Sequence, residues 1–435
     1  MALEIIESGI KSVLPAKVMN SVRYDKERKT LFIQGDAYPL SRGRIFVIGA
    51  GKASGLMAKK LEAMLGKDNI TDGIVICNNR QIRGGKIKIV EAGHPFPDQR
   101  GIEGVRSIMG LKQKYSINAN DLILCLISGG GSALMPCPVA GVTLEEKRKT
   151  TELLISSGAN IDEINVVRKH LSGVKGGRLG AFFAPAKVVS LVLSDVIGNR
   201  LSTIASGPTC PDPSTFGDAY GILKRHHLIE STPRSVLNLL NDGCRGSAAE
   251  TPKSLDNVHN YVIGDINLAL KAMSRKARSL GFHPCIISAE QQGNTEVVAR
   301  VRAREILGSR YAPYDVLLIG GETTPSLPAD AGRGGRNQHY AAATLAEMKG
   351  YPGEWLIASV GTDGSDFLSG VAGAIVDSDS LSQIMRQGID IEPYLKRYDS
   401  YTLLSQLNNS IIVTGDTGTN VGDVILYMLK QSQPQ

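Results

Sequence analysis

Aromatic residues are scarce in this chain: 8 Phe, 1 Trp and 13 Tyr in 435 residues, or 5%. No aromatic-interleaved basic motif and no basic tail accompany the net charge of +7, so a nucleic-acid partner is not expected. No apolar run approaches the roughly 18 residues of a membrane span; the longest, around Ala181–Leu193, is broken by Pro185 and Lys187. The opening MALEIIESGIKSVL carries Glu4 and Glu7 where a secretory signal has a basic region, and it reads as an amphipathic helix. The six cysteines (77, 125, 137, 210, 244 and 285) form no CxxC pair. Packing in a reducing cytosol explains them better than disulfides or zinc, so a cytoplasmic protein is expected. HExxH and the common Ser–His–Asp spacings are also missing.

Glycine is what the chain has in excess, 48 of 435 residues or about 11% against a usual ~7%. It is concentrated after short apolar runs: RIFVIGAGKASG (44–55), LILCLISGGGSALM (122–135), VVSLVLSDVIGN (188–199), DVLLIGGETT (315–324), EWLIASVGTDGSD (354–366) and SIIVTGDTGTNVGD (410–423). Apolar runs without alternation are strands covered on both faces, and helices between them imply parallel crossovers. A hairpin is expected first, VRY (22–24) and TLFIQG (30–35) around DKER. Periodicity is lost in NDGCRGSAAETPKSLDN. The spacing therefore predicts two α/β domains, 1–240 and 255–435, the first a Rossmann-like three-layer sandwich, with an active-site cleft between them. The glycine turns lie where open α/β sheets bind ligands, at the carboxyl ends of strands.

Gly49-Ala50-Gly51-Lys52-Ala53-Ser54-Gly55 reads GxGxxxG, close to a dinucleotide fingerprint, but the next strand ends in Cys77-Asn78-Asn79 without the acid NAD wants, an ending that suits NADP better. Lys52 in that turn suits a phosphate or carboxylate beside a helix start. Ser128-Gly129-Gly130-Gly131-Ser132 stacks backbone N–H groups at a strand end and is read as an anion turn. In IDEINVVRKHLSGVKGGRLG (161–180), Ile164, Val167, Leu171 and Val174 form an apolar helical stripe. Asn165, Arg168, Lys169 and Ser172 form a polar one, which is either a solvated face or, with Lys175 and Arg178 following, part of an anion site. Asp195 closes the most apolar strand, so it holds a metal, takes a proton or caps a helix. His94 in GHPFPD reads as a loop histidine. Arg336 follows a glycine pair and precedes QHYAAATLAEM, well placed to clamp an oxyanion or to cap an inter-domain contact.

These segments resemble the class II glycerate 2-kinases, the family with the C-terminal MOFRL region. The resemblance is carried by GAGKAS, EAGHPFPD, LISGGGSAL, IDEINVVRKHLSGVKGGRL, LVLSDVIGNRLSTIASGPT, GGETT, GGRNQ, GTDGSD and TGTNVGD, in family order from residue 49 to 423. It implies transfer of the γ-phosphoryl of ATP to the 2-hydroxyl of D-glycerate with a divalent metal such as Mg²⁺, in an inter-domain cleft. Lys52 and Arg336 match the family's essential lysine and arginine. On that reading the SGGGS turn and Gly418, Thr419 and Asn420 offer backbone N–H groups to the nucleotide. Asn165, Arg168 and Lys169 are substrate candidates, and Asp195, Glu322 and Asp363 are metal candidates. The partners expected are the small molecules D-glycerate and ATP, with no nucleic acid and no membrane, in a protein compatible with a homodimer. His339 stands where the family has Glu, and Asp416 and Gly422 also depart from its pattern. Two other readings are an NAD(P)H-dependent hydroxypyruvate reductase and a non-catalytic sugar-acid sensor; consumption of D-glycerate with Mg-ATP, or of hydroxypyruvate with NADPH, separates them.

Overall fold

The computed structural model describes residues 1–40, 43–79, 82 and 85–431, which fall into two compact units, Val18–Ile263 and Met1–Lys17 with Gly264–Gln435. The first unit opens with a three-stranded antiparallel sheet, β1 (Val22–Asp25), β2 (Thr30–Ile33) and β3 (Asp36–Pro39). The expected hairpin is its first half, with Val22 opposite Ile33 and Asp25 opposite Thr30. Asp25 Oδ1 closes the turn by accepting from the N–H groups of Glu27 and Arg28 at 3.1 and 3.0 Å.

The larger sheet of this unit contains β4 (Ile45–Ala50), β5 (Asp72–Cys77), β6 (Ile87–Glu91), β7 (Leu122–Ser128), β8 (Lys187–Leu193) and β9 (Val258–Gly264), in the spatial order β6-β5-β4-β7-β8-β9. The pairs β6–β5, β5–β4, β4–β7 and β7–β8 are all parallel. Every residue of β4 and β7 is buried, as unalternating apolar runs require. Phe46, Ile48, Ile123, Ile127, Val188 and Val192 lie in its main core cluster. The chain runs outward from β4 through β5 to β6, then returns to β7 on β4's other side. The order thus reverses between β4 and β7, where a doubly wound sheet leaves a crevice outside its carboxyl ends.

In the second unit β10 (Pro284–Gln291), β11 (Val316–Gly321), β12 (Gly353–Gly361), β13 (Gly373–Asp377), β14 (Ile411–Ile412) and β15 (Asp423–Gln431) make a six-stranded sheet in the order β10-β11-β15-β12-β13-β14. Only β10–β11 is parallel; the remaining pairs are antiparallel. This corrects the expectation of parallel crossovers throughout. An apolar run such as VLLIGG reports cover on both faces, not the direction of the neighbouring strand, and no helix separates Gly361 from Gly373.

The unit boundaries also differ from 1–240 and 255–435. Helix Ala2–Ser12 forms as its periodicity predicts, but it belongs with the C-terminal unit. Gly9 lies against helix Ile266–Ser279 so closely that a Cβ there would come within 2.6 Å of Met273 Cγ. An amphipathic pattern says that one face is covered, not which distant element covers it. All six cysteines are free.

Candidate active site

Two glycine turns lie at the order reversal of the first unit. After β4 the chain turns through Gly51-Lys52-Ala53 into helix Ser54–Leu65. After β7 it turns through Gly129 and Gly130 into the short helix Gly131–Leu134. The turns are bonded together: Lys52 N–H donates to Gly129 O at 2.9 Å. Ala53 N–H donates to Ser128 Oγ at 3.0 Å, which satisfies a helix-start N–H that no cap of its own serves. Ser54 Oγ lies 3.1 Å from Ser128 Oγ. The β4 glycines are explained by this contact. Gly49 and Gly51 have φ of +152° and +150°, and a Cβ on them would stand 2.0 Å from Leu126 O and 2.1 Å from Ser128 Oγ.

The triglycine turn is crowded from several sides. A Cβ on Gly129 would meet Asp195 Oδ2 at 1.9 Å, and one on Gly130 would meet His94 Nε2 at 2.9 Å and Lys52 Cγ at 3.1 Å. One on Gly131 would meet Ala50 O and Ala205 Cβ, each at 2.9 Å. Glycine here lets an ammonium-bearing side chain, an imidazole and a carboxylate close on one stretch of backbone. Ala205 and Ser206 carry left-handed φ of +51° and +59°, a conformation that costs roughly 1–3 kcal/mol each and clusters at functional sites. Ser206 Oγ reaches Ser132 Oγ at 2.8 Å and donates to Asn165 Oδ1 at 3.0 Å. The sequence missed Ala205–Ser206 because neither residue type signals positive φ, and it set His94 aside because a histidine between turn-formers carries no period.

Helix Ile161–His170 begins with a capping box between Asn160 and Glu163. Its apolar stripe is buried as expected, but its polar stripe is not a solvated face. Asn165, Lys169 and Ser172 are buried too. Lys169 pairs with buried Asp212 at 3.2 Å, a structural tie that leaves it poorly placed for substrate. Arg168 Nη2 instead donates to Ser132 Oγ at 2.6 Å.

In the second unit the carboxyl ends of β11 and β12 meet the start of β15, with Asp423 in register opposite both Gly321 and Gly361. Arg336, first in helix Arg336–Glu347, gives Nε and Nη2 to Asp423 at 2.6 and 3.0 Å, and Nη1 to Glu322 at 2.6 Å. Three of a guanidinium's five N–H donors are thereby used. Burial opposes the Arg336 charge, but Asp423 and then Glu322 outweigh it and raise its pKa. Burial pushes the Asp423 carboxyl up to about 6 against the pull of Arg336, and Glu322 adds to the rise.

The N–H groups of Asn337 and Gln338 donate to buried Asp366, each at 2.9 Å, so this aspartate caps the helix from another loop. Asp366 and Asp423 went unrecognised because their partners are far away in sequence. Asp363 Oδ1 accepts from Ser365 N–H at 3.0 Å. Among the described residues no three His, Cys, Asp or Glu side chains gather as a metal cage.

The TGTN loop is held by hydrogen bonds within itself and to the N-terminal segment. Gly418 N–H donates to Asp416 Oδ1 at 2.9 Å, Asn420 Oδ1 accepts from Gly422 N–H at 3.1 Å, and buried Thr419 donates its hydroxyl to Val13 O at 2.6 Å. Thr419→Ala should cost about 1–3 kcal/mol by orphaning a buried carbonyl. Chemical denaturation should register that loss while the KM for ATP stays within twofold; unchanged stability with a raised KM would instead put Thr419 on the nucleotide.

Residues 1–241 match a family described as a domain of unknown function (DUF4147), and residues 315–423 match the MOFRL family. The D-glycerate 2-kinase of Thermotoga maritima is 37% identical over 99% of this chain and 98% of its own length. The glycerate 2-kinase of Pyrococcus horikoshii is 36% identical over 99% and 97%. A protein of Agrobacterium vitis named putative hydroxypyruvate reductase is 39% identical over 88% of this chain and 98% of its own. The crystal structure of the Thermotoga maritima glycerate kinase is similar with a TM-score of 0.85 at 36% identity, covering 99% of this chain and 98% of that one.

Proposed function

Since this chain belongs to the glycerate kinase family and phosphorylates glycerate, we propose that it moves the γ-phosphoryl of ATP to the 2-hydroxyl of D-glycerate, giving 2-phosphoglycerate and ADP. The observation that carries this reading is the convergence of Lys52, His94 and Asp195 on the triglycine turn at the order reversal of a doubly wound sheet. Phosphoryl transfer asks a protein for alignment and charge neutralisation more than for covalent chemistry. In this proposal Lys52 neutralises charge on the transferring group, and the glycine turn lets phosphate oxygens approach its backbone. Arg336 keeps two N–H donors beyond its carboxylate partners for an oxyanion.

A divalent ion suits this donor set. Magnesium is ordinarily held by one or two carboxylates together with substrate phosphates, not by an all-protein cage, and Asp195 supplies such a carboxylate beside the turn. When bound, the ion would neutralise charge on the β- and γ-phosphates. Glu322 is bonded to Arg336; Asp363 is the other acidic candidate of the second unit.

The hydroxypyruvate reductase reading has two supports, the label that some relatives carry and the GxGxxxG turn. Gly49 and Gly51 are accounted for by their contact with β7 and Gly55 by its approach to Cys77, and β5 ends at Cys77 without a ribose-binding acid. The missing acid argues against NAD in particular, and the names of the glycerate kinase relatives weigh more than that of the putative reductase.

The position of phosphorylation rests on family likeness, and the product tests it. Product from D-glycerate and ATP should be consumed by enolase without added phosphoglycerate mutase. A product that needs the mutase first is 3-phosphoglycerate, which would leave a kinase but overturn the 2-hydroxyl.

A further inference from the structure

The first unit brings three basic side chains to one cavity. Lys147, from helix Leu144–Ser156, is 6% exposed and Lys175 is 1% exposed. Arg168 approaches from helix Ile161–His170. Their acceptors are neutral: Lys147 Nζ donates to Leu171 O at 3.1 Å, Lys175 Nζ to Ser132 O at 2.9 Å, and Arg168 Nη2 to Ser132 Oγ at 2.6 Å. None of the three forms an ion pair among the described residues, whereas their neighbour Lys169 has Asp212. An ammonium has three donors, and each lysine here places one.

All three line a cavity of about 230 Å³, together with Ser132, Pro95, Phe96 and Pro136. Burying a charge without a partner is among the costliest things a fold can do. Three such groups line this open cavity against a single carboxylate on its wall, that of Glu152, so basic groups are in excess there.

We propose that the Lys147–Arg168–Lys175 cavity binds a small oxyanion, a carboxylate or a phosphate, through charge-assisted hydrogen bonds. The proposal deepens the kinase reading, on which it rests only for the identity of the anion, because Ser132 belongs to both the cavity and the glycine turn. Candidates are the carboxylate of the acceptor acid and a phosphate of donor or product.

The cavity's charge state fits such a role. Burial, with Arg168 adding repulsion, lowers the Lys147 pKa to about 7. Burial, then Lys147 and Arg168, drives that of Lys175 well down. The other titratable or charged groups facing these lysines are the Cys137 thiol, with Arg106 near it, and Arg148 and Glu152 on the cavity wall. An entering anion favours the charged form of both lysines, so binding at pH 7.5 should draw protons from the buffer.

Calorimetry tests this with D-glycerate and, separately, inorganic phosphate, titrated into wild type, Lys175→Met and Lys147→Met in two buffers of different ionisation enthalpy. Wild type should bind at least one anion with net proton uptake. Each variant should bind it at least about tenfold more weakly, the loss of one hydrogen bond to a charged group. Either variant should melt no lower than wild type without anion, since it replaces a buried amine that burial already disfavours with an apolar side chain of similar length; if one fails to fold, the other decides.

Weakening with glycerate alone assigns the cavity to the acid, and weakening with phosphate alone assigns it to a phosphoryl group. Equal affinities in wild type and variants, or no binding of either anion, would overturn the proposal. Weakened phosphate binding in a protein that never phosphorylates glycerate would leave the cavity standing and sink the 2-kinase reading.

Discussion

Lys52→Ala should fold as wild type does and lose at least about 100-fold in kcat, the scale on which removing one group that stabilises transition-state charge is felt. The expectation of a normal fold has a local reason. The bonds that hold this turn run through backbone N–H groups, from Lys52 to Gly129 O and from Ala53 to Ser128 Oγ, and alanine keeps both. Circular dichroism and a melting curve check the fold, and a coupled ADP assay checks turnover. Near-normal kcat in a well-folded variant would remove Lys52 from the chemistry. Arg336→Ala is a poorer probe than the sequence suggests. It would strand Asp423 in the interior without its partner, and breaking a buried pair in this way costs about 3–5 kcal/mol, so lost turnover would report lost structure as well.

The second large effect is expected at Asp195. Its carboxylate lies where a Cβ on Gly129 would be, so the two residues fix each other's shape, and Asp195→Asn keeps that shape while removing the charge. A helix cap would tolerate the change, because Asn caps about as well as Asp. Stability would then move by less than ~1 kcal/mol and activity would survive. A carboxylate that anchors the metal or takes the hydroxyl proton would lose at least about 100-fold in turnover. Excess Mg²⁺ should partly restore a lost metal ligand and leave a lost base unrepaired, so a magnesium titration of the variant separates these roles. Full activity at ordinary magnesium would return Asp195 to capping.

What could be read from the sequence follows from what a sequence pattern physically encodes. Runs such as IFVIGA and LILCLIS announced buried strands because burial on both faces leaves no room for polar residues, and β4 and β7 are buried throughout. The glycine turns were visible for a related reason: where Asp195 and Leu126 O approach within about a side chain's radius, only glycine fits. Strand direction in the second unit was hidden, since VLLIGG looks the same beside a parallel or an antiparallel neighbour. The polar stripe of helix Ile161–His170 had the spacing of a solvated face, and only the tertiary structure shows Lys169 meeting Asp212 and Arg168 meeting Ser132. Asp423 and Asp366 were illegible as partners of Arg336 and its helix, because their meaning lies in contacts with residues far along the chain.

The central claim is that the convergence on the triglycine turn serves phosphoryl transfer to a three-carbon hydroxy acid. Its most direct test is a single incubation series with purified protein: D-glycerate with ATP and Mg²⁺ in one arm, and hydroxypyruvate with NADPH in the other, each followed for loss of substrate, with phosphorus NMR on the first. The account predicts ADP and a phosphomonoester at C2 in equal amounts, and no oxidation of NADPH above the blank. Steady NADPH oxidation with no new phosphomonoester would contradict it.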